Sequence, residues 1–114
     1  MKHVTNRPCF QGDLMIRRID AIPANMKRAE PENGVHILAH SETGHHHVIE
    51  SRAAERFIDE TNQFISYISV LSDAEITHLR EHDTHEALGV DAGAVYEVRN
   101  QREYVPDGWR RATD

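Results

Sequence analysis

Short apolar runs bounded by turn residues recur along this chain, and they predict strands. Residues 13–20, 35–40 and 94–105 are rich in branched or aromatic side chains and are flanked by Gly, Pro or Asn. Within residues 35–40 the positions alternate, so His36 and His40 are expected on one face, as surface histidines or, alternatively, as residues that line a cavity and hydrogen-bond to metal ligands. Asn33-Gly34, just before this run, predicts a tight turn.

A further pair of apolar runs, residues 56–60 and 63–71, flanks Thr61-Asn62 and predicts a β-hairpin. A short helix over residues 53–58 is the competing interpretation.

Residues 72–88 leave two interpretations open. Ser72 and Glu75 have the spacing of a helical capping box. A turn followed by a strand over residues 76–82 fits the same stretch.

The chain length of 114 residues suits one domain with one modest core. We expect a flexible N-terminal arm at residues 1–10, one β domain at 11–105, and a C-terminal tail at 106–114. The single cysteine, Cys9, allows no internal disulfide and fits a reducing cytosol. No apolar run reaches 18 residues, so no membrane partner is expected.

The charge pattern argues against a nucleic-acid partner. The net charge is −6 with histidine neutral, and a phosphate-binding surface needs an excess of lysine and arginine. Arg17-Arg18 and Arg110-Arg111 are compact basic runs, and both are too short to form such a surface.

Histidine is the unusual component of the composition, with nine copies, of which six fall in two groups. The first group is the run from His45 to His47, and the second is His78, His82 and His85. On a strand, His45 and His47 point to one face and His46 to the other. In the second group, a helix would place all three histidines on one face, whereas a strand would align His78 with His82. Because neutral imidazole is the commonest metal ligand among side chains, the groups predict a metal site if folding brings them together.

The order of several landmarks resembles a group of small uncharacterised proteins from bacteria and phages. The matching stretches are Gly12 to Ile16, Ile19 to Pro23, Thr43 to His47, His78 to His82, Gly93 to Val98 and Gln101 to Tyr104. In that group a TGHxH element precedes an HxEH-like element and a GxYxVxxQREY strand. The resemblance covers residues 11–105 and implies a fold and a histidine site without a reaction. It is compatible with a cytoplasmic protein, or a virion-associated one if a phage encodes it.

More remotely, the pattern is similar to a cupin, a double-sheet β-barrel with a histidine metal site. That resemblance implies His45, His47 and Glu50 as the first ligand set and His82, or else His78 or His85, as the last ligand. Glu50 departs from the family pattern because it follows His47 by three residues, where cupins have a longer spacing. Both resemblances favour a strand over a helix at residues 76–82.

The sequence therefore predicts an all-β, cupin-like barrel or jelly-roll-type sandwich, with room for one short helix. The expected ligand is a divalent transition metal such as zinc, iron or nickel. Three uses fit: an accessory or structural metal-binding module, a metalloenzyme activating water or oxygen on a small molecule, and a metal-free pH-responsive binding module. In the enzyme, Glu50 is the candidate general base. A homo-oligomer is also compatible with the sequence.

Overall fold

The computed structural model describes residues 1–39, 46–78 and 86–100, and within these ranges the chain forms eleven strands. The strands are β1 (Lys2–His3), β2 (Cys9–Gln11), β3 (Leu14–Ile19), β4 (Lys27–Ala29), β5 (Val35–Ala39), β6 (His47–Glu50), β7 (Ala54–Asp59), β8 (Asn62–Val70), β9 (Ala74–His78), β10 (Leu88–Val90) and β11 (Val95–Asn100). No helix occurs in the described ranges, so the fold is all-β as predicted.

The strands form two sheets that pack face to face. The five-stranded sheet has the order β1-β10-β9-β6-β5, and the six-stranded sheet has the order β2-β3-β11-β8-β7-β4. All the pairings are antiparallel except that of β1 with β10. In the part of the chain that the structure describes, the sheets stay separate hydrogen-bonded sets, so the architecture is a sandwich.

The core lies between the sheets and follows from alternation along each strand. On β11, Tyr96 and Val98 are buried in the core, while Glu97 between them points to the outer face of its sheet. The core cluster draws on both sheets, for example Ile16 and Ile68 from one and Ile49 and Ile76 from the other. Each such aliphatic side chain contributes roughly 1.5–3 kcal/mol by leaving water.

Local turn chemistry sets the hairpins. Gly12, with φ of 61°, lies in the short turn between β2 and β3. Asn33 and Gly34 have φ of 52° and 83° and close the turn between Glu32 and Val35, which confirms the predicted tight turn.

Two competing helical interpretations are wrong where the structure describes the chain. Residues 54–59 form β7, which pairs with β8 in the predicted hairpin instead of starting a helix. Residues 74–78 form β9, paired with β6 and β10, so the strand interpretation holds there. Residues 79–85 lie outside the described residues, as do residues 101–105 of the last predicted strand and the tail.

The N-terminal residues depart from the expected flexible arm. Lys2 and His3 pair with Leu88 and Gly89 in one sheet, and β2 starts at Cys9 in the other. Val4, between these strands, is buried in the core. Residues 1–10 therefore belong to the sandwich, since both sheets gain a strand from them.

Candidate functional site

His47 and His78 form a cross-strand pair on the five-stranded sheet. They are register partners on the neighbouring strands β6 and β9. Their rings stack with centroids 4.0 Å apart and an interplanar angle of 7°. His47 is only 5% exposed. Two residues along each strand lie Ile49 and Ile76, both in the core, so the pair points into the space between the sheets.

Gln11, on β2 of the opposite sheet, holds His47 in place. Its Nε2 donates to the carbonyl oxygens of Ile76 and Glu86 at 3.0 and 2.9 Å. Its Oε1 lies 2.8 Å from His47 Nδ1. Gln11 itself is 1% exposed, and its bonds to Ile76 and His47 are buried, while the bond to Glu86 is part-buried. One side chain therefore ties the two sheets together at the histidine pair.

This network fixes the tautomer of His47. Two carbonyl oxygens can only accept, so the Gln11 amide must turn its NH₂ group toward them and its oxygen toward His47. That oxygen is also only an acceptor, so His47 Nδ1 carries a hydrogen. In the neutral ring, Nε2 then carries the lone pair, which is the form of histidine that binds a metal ion.

The stacked arrangement also has an electrostatic consequence. Two imidazolium rings with centroids 4.0 Å apart would repel each other. The arrangement therefore favours at least one neutral ring, and a neutral ring is what metal ligation requires.

The other predicted metal ligands adjoin this pair along the chain but lie outside the described residues. These are His45, His82 and His85. The described chain stops at Ala39, which is the register partner of His47, and resumes at His46. It stops again at His78 and resumes at Glu86, whose carbonyl oxygen Gln11 binds.

Within the described ranges, no group of three or more His, Cys, Asp or Glu side chains is arranged to hold a metal ion. The structure thus brings together two of the predicted ligands, His47 and His78.

Glu50, the predicted carboxylate, lies away from the pair. It is exposed at the end of β6, three residues after His47, so the two side chains point to opposite faces. Three residues of strand span about 10 Å. His46 precedes the strand and is half-buried.

His36 is buried, and the expectation of a surface position is therefore wrong. It is 4% exposed, and its Nε2 lies 3.1 Å from the Ala54 carbonyl oxygen on β7. Burial is the main cause that lowers its pKa below the usual 6.5, and the hydrogen bond to Ala54 opposes this effect. A register shift between Ile37 and Ala39 lets both Leu38 and Ala39 be buried at the end of the strand. His40 lies outside the described residues.

Gln11 is the site residue that sequence reasoning missed. Its one local signal is that it shares a strand face with Cys9, which is buried in the core. That signal indicates burial and gives no indication of a histidine partner, because the partner is distant in sequence.

Comparison with known proteins places the chain in a family. The model of a domain of unknown function, DUF8820, matches residues 10–101, and the chain belongs to that family. The match spans Gln11, His47 and His78, and it agrees with the expected kinship to uncharacterised proteins. No curated protein and no solved structure matches the chain. Among the described residues, no helix has the length and apolar character needed to cross a bilayer.

Proposed function

We propose that this member of the DUF8820 family binds a divalent transition metal at the His47–His78 pair and acts as a binding or structural module. The observation that supports this most directly is the hydrogen bond from His47 Nδ1 to Gln11, which leaves the lone pair on Nε2. Histidines that ligate a metal nearly always donate their other ring hydrogen to an oxygen in this way.

The pair supplies two donors, and a transition metal in a protein needs three or four. The two ring planes are nearly parallel, so at least one ring must tilt out of the stack for both nitrogens to point at one ion. The remaining ligands would come from His45, His82 and His85 in the adjoining segments, or from a second copy of the chain. Imidazole suits zinc, iron and nickel, so the donor type leaves the metal's identity open.

We favour binding over catalysis because of where Glu50 lies. A general base must reach the reacting proton directly or through one water molecule. Glu50 is exposed, about 10 Å along the strand from His47 and on the opposite face. A metalloenzyme acting on water or oxygen is therefore the second choice for this site.

The stacked rings also support a metal-free alternative, a pH-responsive binding module. Protonation of both rings would push them apart, which would change the surface at this end of the sandwich. The two proposals differ in what they require, because a metal needs neutral rings and the switch needs charged ones.

The test is metal titration of the chelator-treated full chain, prepared without a nickel column. Calorimetry with Zn²⁺, Fe²⁺ and Ni²⁺ should show saturable binding by the wild type. His47→Ala and His78→Ala should each weaken it by at least about 100-fold, since each removes one of three or four ligands. His3→Gln is the matched control, because His3 is exposed and lies on β1, two strands away from β9 in the same sheet.

Unchanged affinity in both the His47→Ala and His78→Ala variants would exclude this site. If no metal binds, but acidification below about pH 6 changes the protein only when both histidines are present, the pH-responsive module is correct instead.

A further inference from the structure

A second polar position lies between the sheets, at the edge where β5 faces β7. Two buried atoms there, His36 Nδ1 and Arg56 Nε, have no hydrogen-bond partner among the described residues. Buried polar atoms in folded proteins are nearly always hydrogen-bonded, so two of them together call for a missing partner.

Backbone geometry brings the two side chains to neighbouring positions. His36 Nε2 lies 3.1 Å from the Ala54 carbonyl oxygen, which places the imidazole against β7. Arg56 follows Ala54 by two residues, so it points to the same face of β7, toward the interior. Arg56 also lies opposite Ala29 of β4, the edge strand of its sheet. A molecule of a few heavy atoms can therefore contact both side chains.

The two atoms have opposite hydrogen-bonding character. The Ala54 carbonyl can only accept, so His36 Nε2 carries the hydrogen and, in the neutral ring, Nδ1 is an acceptor. Arginine stays protonated and its Nε can only donate. The missing partner must therefore accept from Arg56 and donate to His36.

The charge of Arg56 narrows the choice of partner. Burial lowers the pKa of Arg56 below its ordinary value, and the carboxylate that opposes this effect is Glu32, an exposed residue of the β4–β5 connection. No ion pair within the described ranges includes Arg56, whereas Arg28 on the adjacent strand pairs with Glu55 at 3.3 Å. The Nε of this guanidinium is buried, and burying part of a charged group without a carboxylate beside it is costly. A water molecule could bridge the two atoms but would leave that charge without a counter-ion.

We propose that the His36–Arg56 site binds a small oxyanion that carries a hydroxyl group, of the hydrogen phosphate or hydroxycarboxylate class. A charged oxygen accepts from Arg56, and the hydroxyl donates to His36 Nδ1. Arg56 is partly exposed, which gives the ligand an entry route along its side chain. This site is independent of the metal proposed at His47 and His78.

The experiment is calorimetry and thermal unfolding of the full chain at constant ionic strength with inorganic phosphate, glycolate, acetate or chloride. Phosphate and glycolate should bind and raise the melting temperature. Acetate, which lacks the hydroxyl, should bind at least about tenfold more weakly, because it leaves His36 Nδ1 without a partner. Chloride should have no effect beyond ionic strength.

Variants of Arg56 and Arg52 locate the site. Arg56→Gln should abolish binding of all the anions, yet unfold without ligand at the same temperature as wild type or higher, since it removes a partly buried charge that has no ion-pair partner in the described ranges. Arg52→Gln is the matched control, because Arg52 is exposed in the turn before β7. If none of the anions binds, or if wild type and Arg56→Gln bind them equally, the proposed site is wrong. Equal affinity for glycolate and acetate would overturn the role given to His36.

Discussion

Replacing Gln11 with leucine should destabilise the protein strongly although the two side chains are similar in volume. Gln11 is 1% exposed and makes three hydrogen bonds, two as donor to carbonyl oxygens and one as acceptor from His47. Leucine would leave the buried Ile76 carbonyl, the buried His47 N–H and the part-buried Glu86 carbonyl without this bond. A buried group that loses its partner costs about 1–3 kcal/mol.

The lower end of that range applies to the two carbonyls, because each oxygen has a second lone pair. About 1 kcal/mol for each carbonyl and about 1 kcal/mol for the His47 N–H give a loss of roughly 3 kcal/mol. For a domain of this size, 1 kcal/mol corresponds to about 4 °C in melting temperature, so Gln11→Leu should lower it by roughly 12 °C.

Urea denaturation of wild type and variant measures this loss, with unchanged slope showing that the transition remains two-state. Gln63→Leu is the matched control, because Gln63 is exposed on β8 and should change stability by less than about 0.5 kcal/mol. Nitrogen NMR of the histidine rings adds a second readout. At neutral pH, His47 should carry its hydrogen on Nδ1 in the wild type and lose that preference in Gln11→Leu. A loss of under about 0.5 kcal/mol with the tautomer unchanged would refute the network.

Three further predictions concern the metal, His36 and the outer face of the six-stranded sheet. If a metal binds as proposed, a free concentration 100-fold above its Kd should raise the free energy of unfolding by about 2.7 kcal/mol, and chelation should reverse this in a thermal scan. Burial lowers the pKa of His36 in the folded state, so the unfolded chain binds a proton at this histidine first as the pH falls. The contribution of neutral His36 to stability is therefore full above pH 6.5 and is lost as the pH falls from 6.5 toward the folded pKa. Urea midpoints should therefore fall less between pH 7.5 and 5.5 in His36→Phe than in wild type, and equal falls would contradict the assignment. Glu97→Gln should lower the free energy of unfolding by roughly 1–3 kcal/mol in urea denaturation, because buried Glu97 accepts hydrogen bonds from Arg17 and Arg99 at 2.7 and 2.9 Å. The exposure of both arginines reduces this effect. Stability within about 0.5 kcal/mol of wild type would show that solvent screens the cluster.

The strands and turns that could be predicted are those with local causes. Asn33-Gly34 closes a tight turn because both residues tolerate positive φ, and the β7–β8 hairpin joins two runs that are adjacent in sequence. The two-residue strand at Lys2 has no apolar alternation of its own. It forms because Leu88 and Gly89 offer backbone partners, and a non-local partner leaves no local signal.

In the candidate site too, features with local causes could be predicted and features that depend on distant partners could not. Histidine content and spacing drew attention to His47 and His78, but a single strand or helix pattern could not show that β6 and β9 are neighbours in register. The burial of His36 was missed because its strand has histidine on the face that turns inward, where apolar residues are expected. Gln11 was missed because its role depends on the opposite sheet.

The position of Gln11 makes the stability of the sandwich and the chemistry of His47 depend on one another. Its amide bonds to Ile76 and Glu86 on the opposite sheet and also sets which nitrogen of His47 carries the lone pair. A ligand that binds His47 through Nε2 selects the ring form that this network already imposes, so less of its binding energy goes into ordering the ring. The ligand in turn strengthens the bond between the sheets, because a metal on Nε2 makes the Nδ1–H a better donor to Gln11. Metal binding and sheet association should therefore be thermodynamically coupled. In a double-mutant cycle, the double variant Gln11→Leu/His47→Ala should lose less free energy of unfolding than the sum of the losses of the two single variants. Strict additivity would show that the stability of the sandwich and the chemistry of His47 are independent.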